Sequence, residues 1–198
     1  NVSTYTGRYF RAVITKDSGS VRKVIPSPPV LFDAPILYVD LEANGANNGQ
    51  SWANAFTNLQ TALAAARLSA SCREVWVARG THYPTENRDR HLSFQMVNGV
   101  GIYGGFEGGE SFRVDSQRDP LRTILSGDLG AKDVAGDNSY VVVRNSVAND
   151  SRALLGPSSI LDGFVIEGGN ANGQVFVSNS QGGGMLNERS SPTLRNLM

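Results

Sequence analysis

The sequence predicts an all-β chain: a parallel β-helix solenoid opened by a capping α-helix and truncated at its C-terminal end. Three observations point there. Short β-branched or aromatic runs start at positions 75, 100, 123, 140 and 164, about 20 residues apart. Most of them close on Gly or Asn, as at Gly80, Gly104-Gly105, Gly127, Asn145 and Gly168-Gly169, residues that tolerate the positive φ of a sharp corner. Only one stretch repeats its apolar residues at helical spacing. Leucine-rich repeats share the period but require a fixed Leu pattern that is absent here, and a β-propeller needs about twice the spacing.

Each element follows from its residues. Over residues 1–25, Tyr9, Arg11, Val13 and Thr15 alternate with Phe10, Ala12 and Ile14, then Lys16-Asp17-Ser18-Gly19-Ser20 supplies a turn into a second strand from Val21 to Ile25. Two strands cannot bury a core, so this reads as the last hairpin of a β-sandwich module. Residues 26–35, opening with Pro26-Ser27-Pro28-Pro29, read as a stiff linker. From residue 36 the solenoid is expected. Leu37-Tyr38-Val39 is its first strand, followed by an Asn/Gly loop, and Phe56, Leu59, Leu63 and Ala66 mark the helix. Thr57 and Gln60 fit a capping box, placing the helix from about Asn58 to near Ala70, where it would plug the open end of the first coil. The strands Val75-Trp76-Val77, Val100-Gly101-Ile102-Tyr103, Thr123-Ile124-Leu125, Tyr140-Val141-Val142-Val143 and Phe164-Val165-Ile166 follow as continuous apolar runs, as parallel strands covered on both faces require. The chain begins within a hairpin and stops within a repeat, and is expected to be a fragment of something longer.

Composition narrows the function. The 198 residues carry 18 Lys+Arg and 18 Asp+Glu, a zero net charge without the basic excess of a nucleic-acid-binding surface. Charged residues are only 18%, so small polar groups solvate the surface. No apolar stretch reaches the roughly 18 residues that would span a bilayer. The single cysteine, Cys72, excludes an internal disulfide and reads as a small buried hydrophobe.

Several words resemble a known bacterial family. Tyr38-Val39-Asp40, Gly45-Ala46-Asn47-Asn48-Gly49-Gln50-Ser51-Trp52-Ala53, Val75-Trp76-Val77-Ala78, Tyr103-Gly104-Gly105-Phe106, Ile124-Leu125-Ser126-Gly127-Asp128 and Leu161-Asp162-Gly163-Phe164 stand in the order seen in secreted right-handed parallel β-helix repeat proteins of pectate-lyase-like fold. Gly182-Gly183-Gly184-Met185 and Ser190-Ser191-Pro192-Thr193-Leu194 resemble a repeat of chlamydial polymorphic outer-membrane proteins and of Bacteroidetes surface proteins. Tyr5-Thr6-Gly7-Arg8-Tyr9 is similar to a strand of bacterial immunoglobulin-like domains. The resemblance implies a secreted or cell-surface protein, adhesin-like, with a polysaccharide or a host or neighbouring cell surface as its partner.

Catalytic constellations are sparse. Kinship with pectinolytic enzymes would bring N-T-D, D-D and G-H-G words, and the sequence has none of them. His82 and His91 read as loop residues, His91 within the charge cluster Asn87-Arg88-Asp89-Arg90-His91. Asp162 reads as a corner cap without a visible partner, and Trp52, Trp76 and Tyr103 read as packed rather than offered to sugar rings. Asp128, Asp133 and Asp137 crowd one loop and are a calcium candidate, although Asp is equally an ordinary turn former and that reading is preferred. The leading reading is therefore non-catalytic, a stalk presenting loops 84–95, 106–122 and 170–182 for adhesion. The competing reading is a polysaccharide lyase or glycoside hydrolase whose catalytic coils lie beyond this segment.

Overall fold

The computed structural model describes residues 36–114, 118–132, 134–145, 154–174 and 179–198, and, for the backbone alone, 9–10, 13–15, 24–26 and 30–31. Residues 1–34 and 35–198 form two compact units. In the first, β2 (Val13–Thr15) pairs antiparallel with β3 (Val24–Pro26), with Ile14 opposite Ile25. Around them β1 (Tyr9–Phe10) pairs antiparallel with β4 (Val30–Leu31), a strand within the stretch read as a linker.

The second unit is built on a seven-stranded sheet. Its strands are β5 (Ile36–Val39), β6 (Glu74–Ala78), β7 (Gly80–His82), β8 (Gly101–Phe106), β9 (Thr123–Ser126), β11 (Ile160–Glu167) and β13 (Thr193–Leu197). All pairings are parallel, in the order β5-β6-β8-β11-β9-β7, with β13 also on β11. A separate parallel pair joins β10 (Val143–Asn145) to β12 (Met185–Asn187).

This corrects the expected fold class. The spacing called for a right-handed parallel β-helix, each coil stacked on the one before; the described residues of the second unit instead form a mostly parallel, curled, half-barrel sheet with one α-helix. Beyond the β5–β6 pair, neighbours in the sheet are not successive in the chain: β8 lies beside β11, β9 lies between β11 and β7, and β10 leaves the sheet altogether. The curl has a local cause. Residues 160–162 of β11 pair with β8 and residues 165–167 with β9, so one strand serves two rows. Between them Gly163 takes φ 85°, and Gly80 at φ 125° makes the same break between β6 and β7. A period near 20 signals parallel strands separated by corners, but does not dictate which strand each will pair with.

Register sorts the side chains. Leu37, Val75, Ile102, Leu161 and Leu194 lie opposite one another in successive strands, and the first four join the apolar core with Val39, Val77 and Phe164. One residue on, Tyr38, Trp76, Tyr103, Asp162 and Arg195 fall on the other face, since strand side chains alternate. The helix α1 (Leu59–Leu68) packs on β5 and β6 and buries Leu59, Ala62, Leu63 and Ala66. Its N-cap is Asn58, not Thr57: the Asn58 side chain accepts from the N–H groups of Gln60 and Thr61, while the Gln60 amide donates to the Pro84 and Ser93 carbonyls. Tertiary acceptors thus displace the local capping box. The free side of β5 is closed by residues 49–56, Tyr38 N–H donating to Gly49 and Phe56 N–H to Tyr38. Cys72 is buried, and that burial raises its thiol pKa.

Candidate functional site

The loops expected to form a contact surface divide into two places. Residues 90–94 run beside 140–144: Tyr140 N–H donates to the Arg90 carbonyl, Phe94 N–H to Val142 and Arg144 N–H to Phe94, all at 2.8–2.9 Å. This short parallel ladder sets the 84–95 loop against β10. From the other direction, Asn170 N–H donates to the Ser139 carbonyl at 2.8 Å and the Asn170 amide to the Ala135 carbonyl at 2.6 Å. Loops 84–95 and 170–182 therefore meet at Tyr140.

At this junction the Arg90 guanidinium lies 4.1 Å from the centre of the Tyr140 ring. Its Nε donates to the Asn138 carbonyl at 2.5 Å and its Nη2 to Asn172 Oδ1 at 2.6 Å. His91, exposed, stands edge-on to Tyr140 at 5.0 Å, its Nδ1 3.2 Å from Asn179 Nδ2. Arg144 Nη2 donates to Asn179 Oδ1 at 3.0 Å, and Asp89 Oδ1 accepts the His91 backbone N–H at 3.0 Å. A half-buried phenol ring, two guanidinium groups, an imidazole and two carboxamides thus share one surface. His91, read from sequence as part of a solvated charge cluster, is a member of this group. Arg90 was read in the same charge cluster; Tyr140, Arg144, Asn172 and Asn179 were not singled out, because the association needs segments far apart in sequence, Arg90 and Asn172 being 82 positions apart.

Loop 106–122 goes elsewhere. Arg118 Nη1 donates to the Gly104 carbonyl at 2.8 Å, and Nη2 lies 3.3 Å from Asp162 Oδ2, with side chains only 4% and 2% exposed. Asn196 Nδ2 donates to Asp162 Oδ1 at 2.8 Å, so both carboxylate oxygens are occupied. The partner that sequence reading did not find for Asp162 is Arg118, 44 positions away. A recess of about 220 Å³ lined by Arg118, Pro120, Asp162, Gly163 and Asn196 opens beside the pair. Next to it Trp76 and Tyr103 are buried, Trp76 stacking on Phe106 at 4.7 Å, and Trp52 donates its indole N–H to the Glu110 carbonyl. These rings are packing groups. Burial raises the Tyr103 hydroxyl pKa, with Arg113, 4.1 Å from the ring, pulling the other way.

His82 is not a loop residue. It ends β7, opposite Leu125, and is 2% exposed, with Nε2 3.3 Å from the Ala78 carbonyl. Burial lowers its pKa to about 4, against the pull of that carbonyl and of Asp40, and Nδ1 has no hydrogen-bond partner. Of the calcium candidates, Asp137 closes a turn, its Oδ2 accepting Ala131 N–H at 2.9 Å above Gly130. Asp128 follows β9 and its N–H donates to Ser126 Oγ; Asp133 lies outside the described residues. Among the described residues no group of three or more His, Cys, Asp or Glu side chains converges to hold a metal, and no helix is long and apolar enough to cross a membrane.

Comparisons with protein-family models, with curated proteins and with solved structures found no match for this chain.

Proposed function

We propose that the chain is a non-catalytic segment of a secreted or cell-surface bacterial protein, and that it holds a glycan or a neighbouring cell surface at the junction around Tyr140. One observation carries the reading: two polar loops distant in sequence converge on one half-buried aromatic ring, framed by Arg90, His91, Asn172 and Asn179. A sugar presents hydroxyl groups at its rim and C–H groups on its face. Carboxamide and guanidinium groups fixed in direction match the rim, and an aromatic ring matches the face. The resemblance of Gly182-Gly183-Gly184-Met185 and Ser190-Ser191-Pro192-Thr193-Leu194 to repeats of chlamydial and Bacteroidetes surface proteins supports the extracellular setting.

The test is retention of the folded protein on immobilised polysaccharides and on whole cells, with reducing ends and unsaturated uronate followed alongside. Retention without product, lowered about tenfold by Tyr140→Ala, is the expected result. Product release by the wild-type chain would overturn the non-catalytic reading in favour of a lyase or hydrolase. Retention that Tyr140→Ala leaves unchanged would move the site off this junction.

A further inference from the structure

We infer that the junction recognises an oxyanion carried on a saccharide, a carboxylate or a sulfate ester, through the outer edge of the Arg90 guanidinium. The inference rests on reading the junction as a glycan-binding surface and deepens it by naming the group bound. Arginine has five N–H donors in a planar fork. In Arg90 the edge formed by Nε and Nη2 is taken by two neutral acceptors, the Asn138 carbonyl and Asn172 Oδ1. Both Nη1 hydrogens and the second Nη2 hydrogen have no acceptor among the described residues. That end-on edge is the one a carboxylate or sulfate can bridge with two parallel hydrogen bonds.

Charge points the same way. Arg90 makes no ion pair with any described carboxylate, whereas Arg79, Arg113, Arg118 and Arg122 each lie within 4.0 Å of one. The nearest acid in sequence, Asp89, is turned to the His91 backbone. The exposed His91 imidazole, held at Nδ1 by Asn179, adds a further ring nitrogen at the same surface. The guanidinium plane is already held by two hydrogen bonds and by the Tyr140 ring, so little side-chain entropy remains to be lost when a ligand arrives.

The experiment compares retention on a polyuronate, a sulfated glycosaminoglycan and neutral dextran, together with NMR titration of the Arg90 Nε–H by glucuronate, sulfate and glucose. Wild type, Arg90→Gln and Arg90→Lys are compared, with thermal unfolding confirming that each is folded. Retention by one or both charged polymers and not by dextran is expected, weakened by salt and about tenfold lower in Arg90→Gln. Arg90→Lys keeps the charge but loses the fork, and should recover only a minor part of the loss. Which charged polymer is retained distinguishes carboxylate from sulfate. Equal retention on dextran and on the charged polymers, unaffected by Arg90→Gln, would overturn the inference while leaving glycan binding standing. If no polymer is retained, the glycan reading fails, and the titration decides the anion site on its own. A shift of the Arg90 signal with glucuronate or sulfate but not glucose would support the site, and no shift would overturn it.

Discussion

Arg118 and Arg90 each sit against a tyrosine ring, and they are put to opposite uses. Arg118 lies 5.5 Å from the Tyr103 ring centre and is almost sealed from water, with Asp162 and the Gly104 carbonyl holding it between strands. Arg90 lies 4.1 Å from the Tyr140 ring centre, only half-buried, held by neutral acceptors and with one edge of its fork open. A cation closed against a carboxylate inside a sheet has nothing left to offer a ligand; its work is cohesion. A cation positioned by neutral groups at the surface keeps its charge and part of its donor set for an incoming anion. The ring contact is common to both and therefore says little about role. What separates them is the charge of the other partners and the access of water.

This contrast can be broken by substitution. The largest effect is expected from Arg118→Met, which strands the Asp162 carboxylate in a buried site: about 3–5 kcal/mol of stability lost in urea unfolding, with much of it regained when Asp162→Leu is added. Recovery in the double variant would identify the loss as an unpaired charge rather than lost packing.

His82 sharpens the comparison as a buried titratable group with no carboxylate in contact among the described residues. Its ordinary value is 6.5 and burial lowers it to about 4. Between these values the unfolded chain binds the additional proton, so stability present above pH 6.5 falls as the pH drops towards 4, by at most about 3 kcal/mol. His82→Gln should flatten this part of a stability-versus-pH curve; an unchanged slope would assign it to other groups.

Gly104→Ala probes the backbone to which Arg118 is bonded. A Cβ there would stand 2.3 Å from the Gly163 carbonyl oxygen, and overpacking of this kind costs about 1–3 kcal/mol, measurable in the same urea series. The smallest change in stability, about 1 kcal/mol or less, is expected for Arg90→Gln, since the site is open to water. Its effect should appear in binding instead. An Arg90 variant as destabilised as the Arg118 variant would erase the distinction drawn between them.

Much of the local structure was legible. The β-branched runs at 75, 123 and 164 lie within β6, β9 and β11, and the apolar spacing of Leu59, Leu63 and Ala66 marks α1. The run at 140–143 was legible only at its end, for β10 begins at Val143 and Tyr140 is released to the junction. Loops 84–95 and 170–182 stood out by composition, but not their meeting, and the third loop, 106–122, lays Arg118 against Asp162 instead. No local pattern announces that pair, since a single Arg and a single Asp far apart look like any other solvated charges.

The sequence by itself determined which segments extend, which one coils and where the backbone must turn. Alternation, branching and glycine act over a few neighbouring residues, and their energetics are local. Only the tertiary structure decided the strand order, the curl at Gly163, the closed pair and the open arginine. Apolar strands of similar length can accept one another, so the choice rests on the summed packing and hydrogen bonding of the whole sheet. The same long-range assembly decided which cation was buried beside a carboxylate and which was left facing water.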